Sequence, residues 1–143
     1  HRVDRRQRQM CIRDRHWCVE DCGRIINPQL VDEQIRGGIV QGLGGALFEE
    51  IHYDDEGQLL NGSMADYLVP MAGEMPDMVV GHVETPTKES MLGAKGAGEA
   101  GTAGAPAAVM NAINDALRPL GAQVTQMPFT PERILRALGA IDD

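Results

Sequence analysis

The stretch Asn27-Pro28-Gln29-Leu30-Val31-Asp32-Glu33-Gln34-Ile35-Arg36-Gly37-Gly38-Ile39-Val40-Gln41-Gly42-Leu43-Gly44-Gly45-Ala46-Leu47 decides the architecture. Asn27 supplies a helix-capping side chain, and Pro28 suits the first helical position, where an N–H has no helical partner in any case. Val31, Ile35, Ile39, Leu43 and Leu47 recur every fourth residue and form one apolar face of a helix expected to run from Pro28 to Glu50. Gln34, Gly37, Gly38, Gln41, Gly42 and Gly45 cluster on the opposite face. Each interior glycine costs roughly 0.8–1 kcal/mol relative to alanine. A face this rich in glycine therefore implies that something approaches the backbone closely, either a packed segment or a ligand.

Working outward, Trp17–Cys22 reads as a short strand ended by Gly23. Asp54-Asp55-Glu56-Gly57 is a turn between two short strands, Ile51–Tyr53 and Gln58–Leu60, and lacks the ligand spacing of a calcium loop. Residues 61–77 read as extended, and Met78–Glu84 as a further strand stopped by Pro86. Five glycines within Met91–Gly104 predict an irregular loop. A helix of about twelve residues is expected to follow, with Pro106 near its first turn, a stripe of Val109, Ala112, Ile113, Ala116 and Leu117, and Pro119 at its end. A short strand at Gln123–Thr125 and a last helix from Pro131 to Leu138, capped by Thr130, complete the reading.

The chain has 143 residues, enough to bury one core. Its net charge of −8 is uneven. Residues 1–15 hold six Arg against two Asp, whereas the rest holds seven basic and nineteen acidic groups. So acidic a body repels phosphate backbones and argues against nucleic-acid binding. Residues 1–15 read as a basic head that is disordered or foreign to the protein, and residues 16–143 as the structured part. No apolar run has the length of a membrane span, and no signal peptide is visible. Three cysteines, Cys11, Cys18 and Cys22, make no disulfide framework and fit a reducing, cytoplasmic setting. Cys18 and Cys22 have no second pair at metal-binding spacing, so no metal ligands are assigned, and both read as buried thiols. His52 and His82 stand alone in the sequence.

Gly93-Ala94-Lys95-Gly96-Ala97-Gly98-Glu99-Ala100-Gly101-Thr102 carries the most chemical information. A glycine-rich loop feeding a helix presents backbone amides to an anion, and Lys95 adds a charge. The spacing is not that of a P-loop. Glu99, flanked by small residues, is reachable by a substrate, and burial there would suit it to act as a general base. A non-catalytic anion-binding or assembly module using residues 93–104 is the alternative. The carboxylate of Glu99 speaks against it, because it repels anions.

Four ordered motifs, Asp21-Cys22-Gly23-Arg24-Ile25-Ile26-Asn27-Pro28, Gln34-Ile35-Arg36-Gly37-Gly38, Gln41-Gly42-Leu43-Gly44-Gly45-Ala46-Leu47-Phe48-Glu49-Glu50 and Lys95-Gly96-Ala97-Gly98-Glu99-Ala100-Gly101, resemble the C-terminal part of the molybdenum-binding subunit of the xanthine dehydrogenase family. The likeness is greatest to the large subunits of bacterial aldehyde oxidase and carbon monoxide dehydrogenase types. The resemblance implies an α+β fold, with helices packed on short mixed strands. It implies a molybdenum–molybdopterin cofactor, including its cytosine dinucleotide form, and hydroxylation of aldehydes, N-heterocycles or carbon monoxide with water as the oxygen source. It matches Glu99 to the base that takes a proton from a molybdenum-bound hydroxyl, and Gln41 to a residue near the cofactor. Gly42, Lys95 and Gly98 are matched as backbone or supporting contacts. It further implies that this is a fragment, inactive alone. Its partners would be a small-molecule substrate, the remainder of the molybdenum subunit, and domains or subunits carrying iron–sulfur clusters and FAD.

Overall fold

The computed structural model describes residues 14–142. The basic head lies outside the described residues apart from Asp14 and Arg15, and Arg15 is the first residue of strand β1, Arg15–Glu20. Helix α1 spans Pro28–Leu47, strand β2 Asp77–His82, helix α2 Ala100–Leu117 and helix α3 Pro131–Ala137. β1 and β2 pair in parallel, from Arg15 opposite Asp77 to Glu20 opposite His82. Parallel neighbours need a long crossover, and α1 with residues 48–76 provides it.

β1 stops two residues short of the expected Cys22 because Asp21 turns the chain: its Oδ1 accepts the Gly23 N–H at 2.9 Å. The α1 start is as the sequence requires, with the Asn27 side chain accepting from the Leu30 N–H at 3.3 Å. Its end falls at Leu47, three residues early, where the N–H groups of Phe48 and Glu49 both bond the Gly44 carbonyl at 2.9 Å.

The loop expected through Gly104 is a correction. α2 begins at Ala100, runs eighteen residues and carries Gly101, Gly104 and Pro106 inside it. Tertiary packing overrides propensity here. A Cβ on Gly101 would run into the Ile35 carbonyl, and one on Gly42 would lie 2.8 Å from Ala105 Cβ and 3.0 Å from the Thr102 carbonyl oxygen. Pro106 has no N–H to give that carbonyl, so the oxygen is left outside the helical ladder at the surface that faces Gly42. The two helices thus meet backbone to backbone, and the covered half of the α1 glycine face, Gly38 and Gly42, is explained by a neighbour rather than a ligand. Gly37 and Gly45 keep open space where a Cβ would stand.

Ile35, Ile39, Leu43 and Ala46 of α1 share the core with Val109, Ile113 and Leu117 of α2, joined by Cys22, Val124 and Phe129. The strand expected at 123–125 does not form. Its role falls to a side chain: Asn114 accepts the Val124 N–H at 2.8 Å and donates to the Val124 carbonyl at 2.9 Å, as a strand neighbour would. The expected hairpin strands reduce to one bridge, Tyr53 opposite Leu59, because buried Asn61 takes over the pairing. It donates to the Glu50 carbonyl at 2.6 Å and accepts from the His52 N–H at 2.9 Å. α3 is capped by Thr130, and Arg133 ties it to the Pro128 carbonyl at 2.8 Å and to the Glu50 carboxylate.

Cys18, Met78 and Val80 turn one sheet face to the core. Among the described residues nothing covers the other face, with Trp17 65% and Val19 67% exposed and Val79 beside Trp17 in register. Among the described residues, no helix is long and apolar enough to cross a membrane.

Candidate functional site

The glycine-rich loop is sutured to the segment that follows β1. Arg24 N–H donates to the Gly93 carbonyl at 3.0 Å, Lys95 N–H to the Cys22 carbonyl at 2.8 Å, and Gly23 bridges Ala94. Gly23 and Gly93 both have positive φ, +66° and +75°, and the two backbones approach too closely for side chains at either. Lys95, expected as a loop cation, is engaged: its Nζ lies 2.8 Å from Asp21 Oδ2 and 2.5 Å from Thr85 Oγ1. The Lys95 ammonium, helped by the Thr85 hydroxyl, holds the Asp21 carboxyl well below the usual carboxylate range. Asp21 is a participant that the sequence reading did not single out. The one local signal was its Asp-x-Gly spacing, which suits a side chain that closes its own turn.

Beyond Lys95 the loop reaches Glu99, the residue preceding α2. The Glu99 carbonyl accepts from the N–H groups of Thr102 at 3.1 Å and Ala103 at 3.2 Å, while its side chain makes no capping bond. Glu99 is exposed, so the burial expected around it is not supplied by the described residues. Two α1 residues flank it. Gln34 Nε2 donates to the Gly98 carbonyl at 2.9 Å. Gln41 is exposed, with its Oε1 3.5 Å from the Thr102 hydroxyl, which donates to the Gly38 carbonyl at 3.0 Å. Gln34, Gln41, Gly98 and Glu99 thus lie along one edge where α1 crosses the start of α2. Gly42 lies behind that edge, under Ala105, and Lys95 lies at its far end. A Cβ on Gly96 or Gly98 would meet nothing within 4 Å, so this edge is open. Carboxamides, bare glycine backbone and a carboxylate are suitable partners for a polar, hydrogen-bonding cofactor.

The other titratable groups serve the fold. Burial, then donation to Glu20 Oε1 at 3.0 Å, pushes the Cys18 thiol up to about 12. Burial also raises Cys22, and both thiols are free. His82 is not isolated: Nε2 lies 2.6 Å from Asp32 Oδ1, across fifty residues of sequence, because α1 packs over β2. Among the described residues, no group of three or more His, Cys, Asp and Glu side chains is arranged to hold a metal ion.

Residues 2–76 match the molybdopterin cofactor-binding domain family. The chain is 49% identical over 127 residues to the nicotine 6-hydroxylase large subunit of Paenarthrobacter nicotinovorans, covering 89% of this chain and 16% of that protein. It is 36% identical to the carbon monoxide dehydrogenase large chain of Afipia carboxidovorans, covering 84% of this chain and 15% of that one. The crystal structure of quinoline 2-oxidoreductase from Pseudomonas putida 86 superposes with a TM-score of 0.83 at 47% identity, over 88% of this chain and 16% of that chain. The chain spans about one sixth of the length of these relatives.

Proposed function

The chain belongs to the molybdopterin cofactor-binding domain family, and from that premise we propose that it is the part of a molybdenum hydroxylase that presents the general base Glu99 to the cofactor. The observation that carries the reading is the edge itself: Glu99 stands exposed at the start of α2, between an amide-bearing helix and open glycines. Molybdenum–molybdopterin, when bound, activates water for transfer to an electrophilic carbon and accepts the two electrons released. A carboxylate oxygen of Glu99 takes the proton given up as that water becomes a nucleophile. Gln41 and the Gly98 backbone, both on that open edge, would hydrogen-bond the cofactor. Gly42 supports them by letting α2 close on α1, and Lys95 by anchoring the loop.

The substrate class is an aldehyde, an N-heterocycle or carbon monoxide, and the names of two relatives near 50% identity, a nicotine hydroxylase and a quinoline oxidoreductase, favour the N-heterocycle. The remainder of the molybdenum subunit is the partner for the bare sheet face of Trp17, Val19 and Val79, since parallel sheets are ordinarily covered on both faces. Iron–sulfur and flavin domains or subunits would take the electrons onward, in a cytoplasmic enzyme consistent with the free thiols Cys18 and Cys22. The anion-binding alternative would have to rely on the loop's backbone amides alone, because Lys95 is already paired with Asp21.

The test is Glu99→Gln in the assembled holoenzyme, offered nicotine, quinoline, a simple aldehyde and carbon monoxide. Single-turnover reduction of the molybdenum centre should fall by about 10²–10⁴-fold, the usual worth of a general base, with metal content unchanged. A rate within about threefold of wild type at full loading removes Glu99 from the mechanism, being far less than a general base contributes.

A further inference from the structure

Three segments distant in sequence meet at the carboxylate of Asp21. Its Oδ1 accepts the Gly23 N–H at 2.9 Å and the Thr85 N–H at 3.1 Å. Its Oδ2 accepts the Thr85 hydroxyl and, at 2.8 Å, the Lys95 ammonium. The four acceptor sites of a carboxylate are thereby filled by the turn after β1, the segment after β2 and the glycine-rich loop. Lys95 is also held by its backbone, through the Cys22 carbonyl at 2.8 Å.

Only Gly96, Ala97 and Gly98 separate Lys95 from Glu99, and a Cβ on either glycine would touch nothing. Ala97 between them is partly buried against the core, while the two glycines have no side chain to fix them. The loop is therefore held by that one small contact and by its two ends. One end is the Asp21–Thr85–Lys95 cluster. The other is the start of α2, fixed by Gln34 on the Gly98 carbonyl and Thr102 on the Gly38 carbonyl. Partly exposed ion pairs add little to global stability, so the consequence of this one is local.

We propose that Asp21 is a positioning residue: by gripping Lys95 it fixes the near end of the loop and so sets where Glu99 stands. The inference rests on the reading of Glu99 as the base. A catalytic group displaced by about 1 Å loses on the order of 10²-fold in rate, and release of one of two anchors should cost about tenfold or more. Asp21→Asn keeps the side-chain size but loses the negative charge and one of the two acceptor oxygens that Gly23, Thr85 and Lys95 share. Lys95→Met loses the donor, and Lys95→Arg restores a cation of similar reach.

The experiment uses the assembled holoenzyme and the substrate it turns over among nicotine, quinoline, an aldehyde and carbon monoxide. Asp21→Asn and Lys95→Met should each lower kcat about tenfold or more, with KM and molybdenum content near wild type. The double variant should be no worse than either single one, as expected when two residues act through one contact. Lys95→Arg should recover much of the loss. Amide hydrogen exchange should quicken over residues 93–99 while Val109–Leu117 stays protected. Wild-type kcat with unchanged exchange in Asp21→Asn overturns the inference, as do additive losses. Lost protection in α2 overturns it in favour of a purely structural role, and lost molybdenum in Lys95→Met alone overturns it in favour of a direct cofactor contact. Glu99→Gln run in parallel separates the two ideas: full turnover there defeats the base, whereas a dead Glu99→Gln beside an unaffected Asp21→Asn defeats only the positioning.

Discussion

Gly101 of α2 lies against the carbonyl of Ile35 in α1 so closely that no side chain fits between them. That contact sets the depth at which the two long helices cross. Glu99 lies only two residues before Gly101, so the same contact fixes the start of α2 from which the carboxylate projects.

Gly101→Ala should therefore destabilise the subunit by about 1–3 kcal/mol, because the backbones must separate to admit the methyl group. Gly104→Ala, three residues on, meets open space and should be neutral or stabilising by up to about 1 kcal/mol through helix propensity. Unfolding free energies of the two variants from denaturant titration should move in opposite directions or differ by more than about 1 kcal/mol. Equal losses would show that the crossing is looser than the structure has it.

Asn114→Ala should cost about 1–3 kcal/mol by leaving both backbone groups of Val124 without partners. Hydrogen exchange at the Val124 amide should rise. Asn114→Asp keeps an acceptor for the Val124 N–H but loses the donor to its carbonyl, so it should protect that amide while still destabilising. An Asn114→Ala variant as stable as wild type would mean that water replaces the side chain at no cost.

Cys18 predicts a pH dependence. Its thiol, ordinarily near 9, is raised to about 12, first by burial and then by its bond to Glu20. The folded protein keeps this proton where the unfolded chain has lost it. The contribution is complete below about pH 9 and falls away as pH rises toward 12. Stability should drop between neutral and alkaline solution, and Cys18→Ala should lessen the drop. Parallel slopes for the two proteins at about pH 8 and about pH 10 would assign the alkaline loss to other groups.

The local periodicities were enough to place α1 and its Asn27 cap, α3 and its Thr130 cap, and the stripes of Ile35, Ile39, Leu43 and of Val109, Ile113, Leu117. Each of these depends on residues within a few positions of one another, where spacing maps directly onto a helix face. Local reading likewise singled out the glycine-rich loop, whose open edge bears Glu99. It failed where the deciding contact came from far along the chain. Gly101 looks like part of an irregular loop until α1 is laid against it. Lys95 looks like a free loop cation until the turn at Asp21 arrives, and His82 looks solitary until Asp32 crosses β2. Residues 123–125 look like a strand until Asn114 supplies the hydrogen bonds that a neighbouring strand would give. Propensity is worth about 1 kcal/mol per residue, whereas backbone approach and filled hydrogen bonds between segments add several such terms at once. The sequence by itself therefore determined the helices, their caps and the glycine-rich loop that bears Glu99, and only the tertiary structure decided which of those residues stand at the open edge and which are engaged behind it, because those contacts join segments far apart in the chain.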